Sequence, residues 1–237
     1  VKELRAPLGY YVNEEPMKVT FTYDGQAIMV LDNTCANKPT EMWVSKRDLT
    51  NDEELPGATL AIKDMDGNIV TTWVSTDEPH RVTGLHFGES YTLTEIRAAG
   101  GYALADNITF RLIQKTDEGG NPLEECQVYY LTTKNILFWK WDDWRLLDDA
   151  TVIMRDDITK VQISKKDLTT KEELHGAELT LTDEKGNEID RWISTAAPHY
   201  MEKLPAGKYT LTEVTAPDGY AIAERMEFEV LPNGEVQ

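Results

Sequence analysis

The chain has 237 residues, of which 41% are hydrophobic and 28% are charged, a composition typical of folded globular domains and not of disordered segments. Its formal net charge of −18 disfavours binding to nucleic acid or to anionic lipid, because both of these partners bind through Lys and Arg. The sequence contains no apolar run of the roughly 18 residues that a transmembrane helix needs.

The N-terminal segment is a partial copy of a repeat that fills most of the chain. Residues 45–110 match residues 164–228, and residues 1–21 match the C-terminal portion of both copies. A repeat of roughly 80–120 residues has the size of a domain and is too long for a solenoid repeat. The predicted domains are the C-terminal part of a preceding module at 1–36, a complete module at 37–158, and a module lacking its last strand at 159–237.

Each module has the pattern of several short β-strands. Segments such as ATLAIKD, IVTTWVS and YTLTEI alternate in hydrophobicity and are rich in Thr, Val, Ile, Tyr and Trp. The stretches DMDGN (64–68) and DEKGN (183–187) lie between such runs and predict hairpin turns. We expect no calcium there, because the first lacks the glutamate of an EF-hand loop and the second lacks the middle aspartate. The pattern predicts an all-β chain of tandem β-sandwich modules.

Charged residues continue the apolar faces of several predicted strands. In MWVSKRD (42–48), Lys46 shares a face with the Met and the first Val, and Lys165 takes the same position in VQISKKD (161–167). The carboxylates in equivalent settings are Glu95 and Glu213 in the two YTLTE strands, Asp156 in VIMRD and Asp32 in IMVLD.

These charged residues have two interpretations. Burying one unpaired charge costs several kcal/mol, so we expect the lysine, glutamate and aspartate of a module to lie together. They could form a buried salt-bridge cluster or reach solvent at strand ends. Alternatively, burial favours the neutral amine, which is a nucleophile, and contact with a carboxyl group would allow condensation to an amide while the second carboxyl group moves protons.

The motifs SKRD, ELPGATL, YTLTE, APDGYAIA and IMRD occur together, and through them the chain closely resembles the collagen-adhesin B-type (CnaB, SpaA-like) domains of Gram-positive surface proteins and pilins. The resemblance covers nearly all of the chain outside 117–150. It implies an immunoglobulin-like or transthyretin-like sandwich with an isopeptide bond from a first-strand lysine to a last-strand aspartate, assisted by a glutamate. In this sequence it makes Lys46 the amine, Glu95 the catalytic acid and Asp156 the acceptor.

The two partial modules each lack one member of this set. The first has Glu3 and Asp32 but no lysine strand, and the last has Lys165 and the catalytic position Glu213 but no aspartate strand. We expect a longer parent protein to supply the missing groups. A further hypothesis is that the Asp32 strand of one molecule completes the open module of another.

Residues 117–150 depart from the family pattern and carry Trp139, Trp141 and Trp144. We interpret CQVYYLTT and ILFWKW as an extra hairpin whose rings pack on the sandwich. The alternative is a loop that recognises a host glycan or protein through exposed aromatic side chains.

No residues are expected to hold a metal or a cofactor. Cys35 and Cys126 have no partners at metal-ligand spacing, and a disulfide between them has no support from the sequence. His80 and His199 are expected to be structural or surface residues. A glycosidase with paired carboxylates is the enzymatic alternative, and it is disfavoured because the candidate carboxylates follow apolar strand faces and not the rim of a cleft.

The sequence therefore predicts a non-enzymatic stalk segment of an extracellular, cell wall-anchored adhesin or pilin-like protein. Its chemistry would be one self-catalysed cross-link per complete module, and its partners the adjacent modules of the same protein. The alternative function is recognition of a host glycan or protein by 117–150. A shaft and a polymerising pilin both fit this prediction.

Overall fold

A computed structural model describes residues 1–13, 16–20, 25, 34–136, 139–147 and 149–237, apart from the side chains of 135–140. In this part of the chain the regular elements are all β-strands, and no helix could cross a membrane. The strands are β1 (Glu41–Asp48), β2 (Thr59–Lys63), β3 (Ile69–Val74), β4 (His80–Thr83), β5 (Ser90–Arg97), β6 (Ile108–Thr116), β7 (Pro122–Ile136), β8 (Trp139–Leu146), β9 (Thr151–Asp156), β10 (Lys160–Ile163), β11 (Glu178–Asp183), β12 (Glu188–Ile193), β13 (His199–Glu202), β14 (Gly207–Thr215) and β15 (Met226–Val230).

The first module is a sandwich of two sheets. One sheet has the order β4-β1-β9 and the other has the order β3-β2-β5-β6-β7-β8. The strand pairs are antiparallel except for β1 and β9, which run parallel. The chain therefore enters and leaves the sandwich on neighbouring strands. The core contains the buried side chains of Met42, Val44, Leu60, Ile62, Val82, Leu85, Tyr91, Leu93, Phe110, Leu112, Val128, Val152 and Met154.

The second module repeats this arrangement on a smaller scale. Its sheets have the orders β10-β13 and β12-β11-β14-β15. The edge of β10 that corresponds to the β9 side of β1 has no paired strand among the described residues. The buried core residues are Val161, Leu181, Met201, Leu204, Tyr209 and Val230. The predicted all-β chain of tandem sandwiches is confirmed.

The two predicted hairpin turns are present, and both are organised by an aspartate. Asp64 Oδ1 accepts hydrogen bonds from the backbone nitrogens of residues 66 and 68, at 3.0 and 2.8 Å, while Oδ2 accepts one from the Asn68 amide at 2.9 Å. Asp183 and Asn187 repeat the pattern. The carboxylates thus serve the turns themselves, and the described residues contain no group of His, Cys, Asp and Glu side chains placed to hold a metal.

The segment 117–150, predicted to be an insertion, begins in contact with the sandwich. Residues 117–121 form a third turn of the same type, with Asp117 in the place of Asp64. The strand β7 that follows pairs along β6 and places the fully buried Val128 in the core. The first part of 117–150 therefore packs as part of the sandwich, and the extent of the insertion stays a prediction.

Val128→Ala should lower the free energy of unfolding by about 2 kcal/mol, because it removes buried methyl groups and leaves a cavity in the core. Glu124→Ala, an exposed change on the same strand, should alter stability by no more than about 0.5 kcal/mol. Thermal unfolding of both variants checks this. Equal melting temperatures would show that β7 packs outside the module.

Candidate functional site

The lysine, glutamate and aspartate of the complete module lie together at one end of its core. Lys46 Nζ is in contact with Asp156 Oδ1 and lies 3.0 Å from Glu95 Oε1. The lysine side chain is 1% exposed, and the two carboxylates are 0% exposed. Such complete burial makes this trio a site with low effective dielectric, where charge and protonation are closely linked.

Three strands deliver the trio, and strand alternation explains its position. In β1, Lys46 follows the buried Met42 and Val44, and in β9 Asp156 follows the buried Met154 on the same face. These two strands pair in parallel, with Lys46 opposite Met154. Glu95 reaches the site from the facing sheet, where it lies opposite Leu60 of β2 in register. The apolar residues on the same faces of these three strands pack in the core and hold the strands in place.

Backbone groups hold the Glu95 carboxylate and the main chain at Asp156. Glu95 Oε2 accepts a hydrogen bond of 2.8 Å from the Ala105 nitrogen, and the Asp156 carbonyl accepts one of 2.9 Å from the Leu49 nitrogen. The buried Asp156 Oδ2 has no hydrogen-bond partner among the described residues, whereas Glu95 Oε1 has the Lys46 ammonium group 3.0 Å away. Leaving a buried oxygen without a hydrogen-bond partner is costly unless the oxygen is protonated or its group reacts.

Burial raises the pKa of Asp156 to about 7, well above its usual range. The neighbouring Glu95 carboxyl group raises this pKa further, and the Lys46 ammonium offsets part of the increase. Near neutral pH the Asp156 carboxyl group therefore spends much of its time protonated. A protonated carboxyl group is a better electrophile than a carboxylate because its carbon bears less electron density.

The second module contains the same pair without an aspartate. Lys165 Nζ lies 3.0 Å from Glu213 Oε1, and Glu213 Oε2 accepts a hydrogen bond of 2.5 Å from the Ala223 nitrogen. The Lys165 side chain is 18% exposed, because no strand covers it in the manner of β9. Two of the three groups are therefore in place before a third is supplied.

The partial N-terminal copy keeps only the glutamate part of the pattern within the described residues. Glu3 Oε2 accepts a hydrogen bond of 2.7 Å from the Asn13 nitrogen, ten residues later. The same ten-residue spacing separates Glu95 from Ala105. Asp32, the predicted acceptor of this copy, lies outside the described residues. Sequence reasoning missed the backbone anchor, although the constant spacing in the repeat was its signal.

A second buried carboxylate next to the site was also missed. Asp48 is opposite Asp156 in register and accepts a hydrogen bond of 2.6 Å from the Tyr102 hydroxyl group. This hydrogen bond lowers the pKa of Asp48. Tyr220 donates a similar bond of 2.5 Å to Asp167 in the second module. The tyrosine of the repeated Gly-Tyr pair therefore donates a hydrogen bond, in each module, to the aspartate two residues after the lysine.

Of the hairpin tryptophans, Trp141 and Trp144 have described side chains, and these two do not lie together. Trp144 lies with its ring 4.3 Å from the Arg111 guanidinium group. Trp141 is 41% exposed and, three residues earlier in β8, lies on the opposite face of the strand. Trp139 of β8 pairs in register with Ile136 of β7. The side chain of Trp139 lies outside the described residues.

His80 and His199 each stack on a tryptophan ring, Cys126 makes a hydrogen bond, and Cys35 is exposed. His80 stacks on Trp73 with ring centroids 4.3 Å apart, and His199 stacks on Trp192 at 4.2 Å. Cys35 and Cys126 are both free thiols. The Cys126 thiol donates a hydrogen bond to the Glu41 carbonyl group.

The family model of the SpaA prealbumin-like fold domain matches residues 40–121 and again residues 159–237. A comparison with curated protein sequences finds no match.

Several solved structures are similar to the chain. The Bacillus anthracis TIE protein is 25% identical, with a TM-score of 0.43, and the match covers 98% of this chain and 39% of that one. The C-terminal fragment of the pilus adhesin SpaC from Lactobacillus rhamnosus GG is 19% identical, with a TM-score of 0.40 and coverage of 83% and 84%. The shaft pilin SpaA from the same organism is 14% identical, with a TM-score of 0.34 and coverage of 81% and 94%. Since the family model matches more than half of the residues, once in each sandwich, the chain belongs to the SpaA family of prealbumin-like fold domains.

Proposed function

We propose that the chain is a stalk segment of an extracellular, cell wall-anchored adhesin or pilin-like protein of a Gram-positive cell surface. Its complete module would close a Lys46–Asp156 isopeptide bond once, without turnover. The observation that supports the bond most directly is the burial of Lys46 Nζ between two carboxylates that are 0% exposed. The partners of such a segment are the adjacent modules of the same protein, in the arrangement 1–36, 37–158 and 159–237.

The proposed reaction is a condensation between two side chains. The neutral Lys46 amine attacks Cγ of the protonated Asp156 carboxyl group, and a C–N bond replaces a C–O bond. The protonated Glu95 donates its proton to the departing oxygen, which leaves as water, and Glu95 then takes a proton from the nitrogen. One amide and one water form, so the reaction consumes no oxidant and no cofactor. Contact between the two groups gives the amine a very high effective concentration.

The site can reach its reactive protonation state without a change in net charge. A Lys46 ammonium, a Glu95 carboxylate and a protonated Asp156 sum to zero. Transfer of one proton from Lys46 to Glu95, across the 3.0 Å between them, keeps that sum and creates a free amine. Because the side chains are withdrawn from water, the neutral pair is penalised less than the ion pair it replaces.

The bond would act mechanically by joining the strands on which the chain enters and leaves the module. Lys46 and Asp156 are 110 residues apart in sequence but lie on neighbouring parallel strands. A tensile force on the two ends of the module would load the cross-link and leave the sandwich between them folded. The chain has two free thiols and no disulfide among its described residues. The isopeptide bond would supply the covalent cross-link that a disulfide gives other proteins.

The structure favours this function over both alternatives. Recognition of a host glycan or protein by 117–150 would use the tryptophans, but Trp141 and Trp144 lie on opposite faces of β8 and do not share a surface. Glycan hydrolysis would require carboxylates that a sugar can reach, whereas Glu95 and Asp156 are 0% exposed.

The intact mass of the denatured, reduced protein should be about 18 Da below the value calculated from the sequence, because amide formation releases one water. Lys46→Ala and Glu95→Ala should each restore the full calculated mass. Lys165→Ala is the matched control and should keep the deficit. A wild-type protein of full mass would mean that the trio is only a buried ionic cluster, and the proposed bond would be rejected.

The open second module provides an independent test of the roles assigned to Lys165 and Glu213. A synthetic peptide with the sequence of residues 149–158, which contains β9, should pair along β10 and form a covalent adduct with the chain at Lys165. The adduct should have the summed mass less one water.

Lys165→Ala should abolish this adduct, as should a peptide with alanine in place of the residue corresponding to Asp156. Mass spectrometry of the denatured mixture gives the result. A peptide that binds reversibly but never forms an adduct would contradict the assigned chemistry.

The raised pKa of Asp156 predicts a pH dependence in a protein that cannot form the bond. In Lys46→Ala, burial and Glu95 still raise this pKa above the unfolded value, so the folded state binds more protons between about pH 4 and pH 7. The contribution of Asp156 to stability is therefore lost as the pH rises through this window, by at most about 1.4 kcal/mol per pH unit.

The double variant Lys46→Ala/Asp156→Asn lacks this titration. Urea unfolding of both proteins at several pH values should show the double variant gaining stability relative to the single one between pH 4 and pH 7. A constant difference would mean that Asp156 has an ordinary pKa.

A further inference from the structure

The boundary between the two sandwiches is a set of backbone hydrogen bonds and not a free linker. The Thr159 nitrogen donates to the Gly101 carbonyl group at 3.0 Å, and the Ala103 nitrogen donates to the Asp157 carbonyl group at 3.0 Å. Between them, Tyr102 and Ile158 form an antiparallel bridge. The segment that connects the modules is therefore paired with a loop of the first module.

The earlier boundary, between the N-terminal segment and the first sandwich, contains the same bonds. The Thr40 nitrogen donates to the Gly9 carbonyl group at 2.9 Å, and the Tyr11 nitrogen donates to the Lys38 carbonyl group at 2.9 Å. Tyr10 and Pro39 form the corresponding antiparallel bridge. The two boundaries thus share two backbone hydrogen bonds and a bridge.

The threonine also ties each boundary to the module that follows it. Thr159 is 2% exposed, and its hydroxyl group donates to the Leu204 carbonyl group at 2.6 Å, while the Lys203 nitrogen donates to the Thr159 carbonyl group at 2.9 Å. At the first boundary, Thr40 is equally buried and donates to Leu85 at 2.7 Å. One residue therefore connects the loop of one module with a loop of the next.

A glycine permits the close approach of the two modules. Gly101 has a φ of +85°, and a Cβ added to it would lie 2.6 Å from the Lys203 carbonyl oxygen. Gly9 has a φ of +79°, and an added Cβ would lie 2.5 Å from the Gly84 carbonyl oxygen. Gly219, the third copy, has a φ of +86° and no atom within 4 Å of the added Cβ. A side chain at this position would therefore collide with a neighbouring module at Gly9 and Gly101, where a module is docked, and would meet no atom at Gly219.

Side-chain contacts also cross the second boundary. Tyr102 is 7% exposed there, whereas Tyr220 in the third copy is 46% exposed and Tyr10 at the first boundary is 41% exposed. The Lys203 ammonium group lies 2.9 Å from the Tyr102 hydroxyl group and 3.9 Å from Asp48 Oδ2. A lysine of the second module therefore reaches the aspartate that flanks the site of the first.

We infer that the Gly-Tyr loop at the end of each module is a docking site for the leading end of the next module, and that this joint sets a fixed angle between them. The partner that fits the loop is a module whose first strand is preceded by a buried threonine and whose facing loop presents a leucine carbonyl group. The joint uses none of the atoms of the proposed cross-link. An experiment that rejects the isopeptide bond therefore leaves the inference about the joint unaffected.

Residual dipolar couplings of the whole chain in a weakly aligning medium test the joint. In the wild-type protein, residues 41–156 and 160–230 should share one alignment tensor, as expected of a single rigid body. Gly101→Ala should remove the common alignment, because its Cβ collides with the Lys203 backbone. Gly219→Ala is the matched control: it carries the same backbone strain without a neighbour and should keep the common tensor.

Thr159→Val provides a second variant that preserves side-chain shape and removes only the hydroxyl group. It should weaken the common alignment without unfolding either sandwich. Separate tensors in the wild-type protein would overturn the inference, and so would a common tensor that survives both Gly101→Ala and Thr159→Val. The intact mass of every sample, measured in parallel, reports on the cross-link independently.

Discussion

The first module depends on one constraint: a lysine in its core can be tolerated only beside carboxylates. Lys46 is among the largest fully buried side chains of the described residues, and it lies where the apolar row of β1 ends. An isolated ammonium group at that depth would cost several kcal/mol, a large share of the net stability of a domain. Glu95 and Asp156 must therefore be held nearby, which requires β5 to face β1 and β9 to lie beside it.

This requirement accounts for the one parallel pairing in the module. An antiparallel neighbour of β1 is provided by β4, at its other edge. The remaining edge of β1 pairs with β9, the last strand of the module, which brings Asp156 to Lys46. In the chain, β9 comes after all the strands of the larger sheet. The second module shows the same pair of groups before any such strand is added, with Lys165 partly exposed and Glu213 already anchored by a backbone amide. The glutamate position is therefore a property of the repeat and does not need the aspartate.

The sequence predicted this trio because alternation along a strand is a local property. Lys46, Glu95 and Asp156 each continue an apolar row, so burial of the row implies burial of the charge. That β1 and β9 are neighbours is a long-range fact, and only the resemblance to a family supplied it. The packing of residues 117–128 could not be predicted for a similar reason: Asp117 opens the same turn as Asp64, but the burial of Val128 depends on pairing with β6, which composition does not reveal. The joint was missed because its partners, such as Gly101 and Thr159, are far apart in the chain and individually unremarkable.

The joint and the proposed bond together define a short path for force. The first joint ends at Thr40, which is six residues before Lys46, and the second joint begins at Asp157, directly after Asp156. In the cross-linked module, tension entering at Thr40 passes along β1 to Lys46, crosses the isopeptide bond to Asp156 and leaves through Thr159. The 109 residues from 47 to 155 are bypassed, as the separation of 110 between the two linked residues requires. With the proposed bond in place, extension would be limited to a few residues of strand and to the joints. The stiffness of the proposed stalk would then be set by the hydrogen bonds of the Gly-Tyr loops and not by the stability of the sandwich.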